Sequence, residues 1–115
     1  MTQITEYREE WHLFGGQDPG TPAPGVMFVF YEPSKNLDGT LNLTPQGVDM
    51  LCPCGCGRDF YTPLITPELE GRNNSHHWRY SLGPTITPSI RFLSGCKSHF
   101  NITDGKVIMH GDSGA

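Results

Sequence analysis

The sequence contains no apolar run approaching the roughly twenty residues of a membrane-spanning helix, so no membrane span is expected. Charge is scarce too. Charged residues make up 17% of the 115 positions, the formal net charge is −4, and no Lys/Arg block interrupts that mild acidity. A nucleic-acid binder relying on a broad basic face is therefore not expected; Arg58, Arg72, Arg79, Arg91 and Lys97 are scattered, and that reading ranks lowest. The opening "MTQITEYREEW" lacks the basic start and apolar centre of a secretion signal, which points to a cytoplasmic protein, where structural disulfides are disfavoured. Internal repeats, low-complexity blocks and a His-Glu-x-x-His metal motif are all missing.

Glycine and proline, in contrast, are abundant, with 14 and 10 copies. A chain so often punctuated suits short strands joined by turns, and its length suits one compact unit. The expected fold is mostly β: a small, zinc-stapled antiparallel sheet or sandwich, organised as one domain over 1–115. Residues 1–25 form an N-terminal arm and a Gly/Pro-rich loop, and 26–110 form the β core. Within the arm, Ile4, Tyr7, Trp11 and Phe14 recur near helical spacing, so 4–14 is either a short helix or an extended arm. "VMFVFY" at 26–31 reads as a buried strand stopped by Glu32-Pro33. Asp38-Gly39 marks a turn, and Thr103-Asp104-Gly105 marks a hairpin between 100–102 and 106–109. Further strands are expected over 47–51, 59–65, 77–82 and 85–90, and the final "HGDSGA" is expected to fray.

Three of the four cysteines fall in "CPCGCG", Cys52 to Gly57, and the fourth is Cys96 in "GCKSHF". Two tight loops that each bring a ligand pair are the usual construction of a structural zinc site. Gly55, Gly57 and Gly95 let the backbone curl so that neighbouring ligands face one point. Cys54, Cys56, Cys96 and His99 make the neatest tetrahedral set; Cys52 could take the place of Cys54, or could be a buried free thiol. Zinc suits mixed thiolate and imidazole ligands, with an iron–sulfur cluster as the minor alternative.

Other residues invite chemistry. His76 and His77 flank Trp78 at the end of a polar loop and are more simply solvated; His12 and His110 carry no signal. "GDSG" at 111–114 matches the surroundings of a serine-protease nucleophile, yet a nucleophile there would need a following strand, so chance is the better account. "TITPSI" alternates as a half-buried strand should, and its proline suggests an edge or a bulge near the metal. Trp78, Tyr80 and Phe92 read as core residues.

Taken in order, "CPCGCG", Trp78, "TITPSI" and "GCKSHFNITDGKVI" resemble a family of small zinc-binding domains from bacterial and bacteriophage genomes, some encoded beside ubiquitin-like conjugation genes. The resemblance spans roughly 48–109. It implies metal ligands among the cysteines of 52–56, Cys96 and His99, in a bacterial or infected-host cytosol, and it carries no activity across. Two functions follow as expectations. The first is a binding or accessory module with structural zinc and a protein partner, since four protein ligands leave no open position for Lewis-acid chemistry. The alternative is a zinc-dependent hydrolase acting on a peptide or isopeptide bond, with Asp59, His76 or His77 as acid/base.

Overall fold

The computed structural model describes residues 3–70 and 76–114. Eight strands form two four-stranded sheets. The first holds β1 (Arg8–Leu13), β2 (Val26–Lys35), β3 (Leu41–Leu51) and β4 (Asp59–Pro63), hydrogen-bonded in that order. The second holds β5 (Arg79–Ser81), β6 (Thr85–Arg91), β7 (His99–Thr103) and β8 (Lys106–Met109), also in order. The only helical element among the described residues is the single 3-10 turn Pro67–Leu69. The mostly β expectation holds. The segment 4–14 takes its extended alternative: Arg8–Leu13 pairs in parallel with Val26–Tyr31, so the helical reading is not adopted.

Alternation decides which face is buried. Met27 and Val29 of β2, Val48 and Met50 of β3, and Leu64 face Ile86 and Ile90 of β6 and Phe100 and Ile102 of β7, with Tyr7 joining from the N-terminal arm. These side chains form the layer between the sheets. Phe100 has no exposed surface and sits in an edge-to-face aromatic trio with Phe60 and Phe92, centroids 6.2 and 6.1 Å away. Trp78, Tyr80 and Phe92 pack against this core as expected. Two links tie the sheets at their margins: Glu6 bridges Lys106, and Leu64 bridges Trp78.

Because β1 and β2 are parallel neighbours, the Gly/Pro-rich loop 14–25 must run the length of the sheet to connect them. Pro22 is fully buried, and Asp18 lies close enough to act on the charge of Asp49 in β3. β2 also runs past Glu32-Pro33 to Lys35, contrary to the expected stop. β1 ends opposite Tyr31, so the absent N–H of Pro33 forfeits no bond on that side, and the distal hairpin extends as a two-stranded arm. The two expected turns are present, with Gly39 at φ 88° and Asp104-Gly105 at φ 48° and 78°.

Two consequences are testable. Phe100→Ala should cost about 3–5 kcal/mol of stability, read from urea unfolding, because it leaves a cavity among Phe60, Phe92 and Ile90. Asp49 is pushed up to about 7, first by burial, then by the hydrogen bond and negative charge of Asp59. Its folded-state value thus lies above the ordinary value of about 3.9. The folded chain keeps a proton that the unfolded chain loses, so stability should fall as pH rises from about 4 through 7 and then level off. In Asp49→Asn, that decline in thermal midpoint between pH 5 and 8 should be smaller than in the parent chain.

Candidate metal centre and an adjoining Ser-His-Asp relay

The knuckle 52–58 leaves the end of β3 and returns into β4. Its closure is a bond from the Cys52 N–H to the Arg58 carbonyl, 2.7 Å, with the Gly55 N–H on the Cys52 carbonyl, 3.2 Å. Gly55 and Gly57 sit at φ 89° and 83°, the left-handed turn geometry for which glycine suits these positions. Across from it, the connection 92–98 between β6 and β7 carries Cys96. Arg58 spans the two loops, its guanidinium 4.1 Å over the Phe92 ring and one nitrogen 3.2 Å from the Ser94 carbonyl.

The sulfurs of Cys52, Cys54, Cys56 and Cys96 all lie within 4.8 Å of one another. Cys52 Sγ is 3.4 Å from Cys54 Sγ and 3.7 Å from Cys96 Sγ. All four thiols are free, and a disulfide would require roughly 2.05 Å. Sulfurs about 2.3 Å from a common tetrahedral centre stand about 3.8 Å apart, close to the 3.4 and 3.7 Å of the two pairs above and within the 4.8 Å that spans the cluster. The donors present thus fit a four-thiolate metal site. Ser98 Oγ lies 3.2 Å from Cys96 Sγ and 3.6 Å from Cys52 Sγ, under the cluster. Burial pushes the Cys52 thiol up. For Cys96 burial acts in the same direction, but hydrogen bonds from the Ser98 hydroxyl and N–H and from the Cys52 and Cys54 thiols outweigh it and bring the group down to about 6.

The sequence-expected set of Cys54, Cys56, Cys96 and His99 is therefore divided. Its three cysteines lie together with Cys52, so the surplus thiol stands inside the cluster. His99 is not in the group and is occupied elsewhere. It opens β7, where alternation turns Phe100 and Ile102 inward and leaves His99 and Asn101 on the outer face of the second sheet. There His99 Nδ1 lies 2.7 Å from Asp112 Oδ1, and His99 Nε2 lies 2.9 Å from Ser89 Oγ. A carboxylate can only accept, so Nδ1 carries the ring proton and Nε2 accepts from the serine hydroxyl. The three side chains thus stand in the order of a Ser-His-Asp relay, an arrangement able to activate a serine hydroxyl.

Each member is placed by local structure. Pro88, without an N–H, falls where the β6–β7 register shifts between Ile86 and Ile90, and this irregular stretch presents Ser89. Trp78 Nε1 donates to the Ser89 carbonyl, 3.3 Å. Asp112 stands on the turn after β8. Far from fraying, this turn is bonded through Ser113 N–H to the His110 carbonyl, His99 N–H to Ser113 Oγ and Gly114 N–H to the Lys97 carbonyl. The His99 hydrogen bond, reinforced by Arg91 3.1 Å from the other oxygen, holds the Asp112 carboxyl below the usual carboxylate range.

Sequence reasoning missed Ser89 and Asp112. The signal for the aspartate lay within "GDSG", which was set aside as a serine motif; Ser113 does only the structural work of holding the turn, while the preceding aspartate joins the relay. His76 is exposed and His77 half-buried, and neither belongs to the relay. Asp59 faces Asp49. Among the scattered basic residues, Arg58, Arg79 and Arg91 are engaged with Phe92, Glu70 and Asp112, and Arg72 lies outside the described residues.

Residues 28–110 match the family model described as bacterial ubiquitination-like system serine protease (BubE). The chain belongs to the BubE family. That description agrees with the expected tie to ubiquitin-like conjugation and makes no mention of zinc. No curated protein and no solved structure matches this BubE-family chain. None of its helices among the described residues is long and apolar enough to cross a membrane.

The division of the expected ligand set gives a direct test. Cys52→Ser and Cys96→Ser should each lower the divalent metal carried by the purified protein well below a full equivalent, whereas His99→Ala should retain it. Elemental mass spectrometry of the three variants decides which set holds the ion.

Proposed function

We propose that this chain is a serine hydrolase that cleaves an amide bond, peptide or isopeptide, within a bacterial ubiquitination-like system, and that a four-cysteine zinc site holds its fold together. The observation that carries this reading is the Ser89–His99–Asp112 relay, with both imidazole nitrogens engaged at 2.9 and 2.7 Å. The family description supports the reaction class and the setting.

In this mechanism Ser89 Oγ attacks the carbonyl carbon of the scissile amide while His99 Nε2 takes the hydroxyl proton. A new C–O bond forms, and the resulting imidazolium is stabilised by Asp112, which Arg91 braces from its far oxygen. His99 then gives the proton to the departing amine as the C–N bond breaks. Water, deprotonated by the same imidazole, releases the acyl group and restores the serine.

Zinc would be held by Cys52, Cys54, Cys56 and Cys96, leaving no open position, so its contribution is structural. This separates the two readings the sequence suggested. The metal takes the stapling role of the binding-module reading, and bond cleavage passes to the serine rather than to a metal-bound water. In a chain of 115 residues such an ion supplies a large share of the folding free energy.

A fluorophosphonate probe tests the reaction class. The wild-type protein should gain one covalent adduct, mapped to Ser89 by peptide mass spectrometry. Ser89→Ala should gain none, Ser113→Ala should still gain its adduct at Ser89, and Asp112→Asn should lower turnover of a cleavable substrate by about 10⁴-fold. An adduct on Ser113, or none on folded wild-type protein, would sink the proposal.

A further inference from the structure

A second imidazole lies flat on the first. The rings of His99 and His110 are 4.0 Å apart, centroid to centroid, with their planes 12° from parallel. They are cross-strand neighbours: the His110 N–H donates to the His99 carbonyl, 2.8 Å, beside the Phe100–Met109 pair of the β7–β8 ladder. His110 is itself fixed. Its Nε2 bonds the Asn101 side-chain carbonyl; since that oxygen only accepts, Nε2 carries the proton and the ring is held in one orientation.

The stack answers a need created by the position of the site. The relay lies on the outer face of the second sheet, and the carboxylate that aims His99 is nearly half exposed, 46% for the Asp112 side chain. A hydrogen bond to so exposed a partner competes with water, and rotation of the imidazole about its last torsion would exchange the atoms that face Ser89 and Asp112. The His99 side chain is nevertheless only 16% exposed. The His110 ring covers one of its faces and opposes that rotation.

The geometry points to His110 as a positioning residue for the proposed hydrolysis: clamped by Asn101, it stacks on His99 and keeps Nε2 on Ser89 and Nδ1 on Asp112. The inference rests on the hydrolase reading above, and its test is arranged to fail separately.

The 115-residue chain would be examined as wild type, His110→Ala and His110→Phe, each first checked for a native thermal transition. Two quantities are read: the rate of fluorophosphonate labelling at Ser89, and the downfield proton resonance of His99 Nδ1–H bonded to Asp112. His110→Ala should slow labelling between about 10- and 100-fold and broaden the resonance as the ring loosens. His110→Phe retains a stacking face and should recover most of both. Wild-type labelling by a folded His110→Ala variant would overturn the inference, as would a His110→Phe variant as slow as His110→Ala, which would assign the effect to the ring nitrogen. If Ser89 of the wild type takes no label, the hydrolase reading falls and the resonance decides alone: sharp in the wild type and lost in His110→Ala supports the stack, unchanged in both refutes it.

Discussion

Packing between the two sheets around Phe100 is the interaction on which the remainder of the structure depends. Once Phe100 and Ile102 turn inward against Met27, Val29, Val48 and Met50, the alternation of β7 leaves His99 and Asn101 no choice but the outer surface. The same alternation in β8 turns Met109 toward the core and leaves Ile108 half exposed on the opposite side, two positions before His110. A slip of one residue in either strand would bury the imidazoles and expose the apolar residues. Burial of the core therefore sets the register, and the register sets the site.

Two chemistries share one short piece of chain. Leaving Ser89, the backbone passes Arg91, turns through Cys96 and Ser98, and arrives at His99. Ser98 lies under the thiol cluster, and its immediate neighbours in sequence hold the relay in place: the Lys97 carbonyl holds Gly114 in the turn bearing Asp112, and the His99 ring lies between Ser89 and Asp112. The cysteine cluster thus fixes the corner from which the relay is built, while contributing no atom to it. Arg58 adds a second tie by lying over Phe92 and bonding Ser94 from the opposite knuckle.

Much of this fold was legible in the sequence because its signals are local. The apolar run 26–31, the Asp-Gly turns and the alternating "TITPSI" each encode a strand or a reversal within a few residues. The thiol cluster was legible for the same reason, since three cysteines and two glycines in one loop constrain each other at short range. The relay was not. Ser89 and His99 meet across two strands, and Asp112 reaches them from a turn past a third, so no window of sequence contains the set. His99 was drawn toward the metal by its spacing from Cys96; in the structure it opens β7, and its ring nitrogens meet Ser89 and Asp112. Pro33 misled in a similar way: proline ends a strand only where its N–H is wanted, and beyond Tyr31 no β1 partner wants it.

The stretch from Ser89 to His99 acts as a ruler with two fixed marks. Insertions in the arm beyond Tyr31, where β2 and β3 pair alone, change surface and little more. An insertion or deletion between Ser89 and His99 would have to keep a sulfur at the cluster and an imidazole at the serine at once. Natural variation in length should therefore gather at the arm beyond Tyr31, and this connection should hold its residue count.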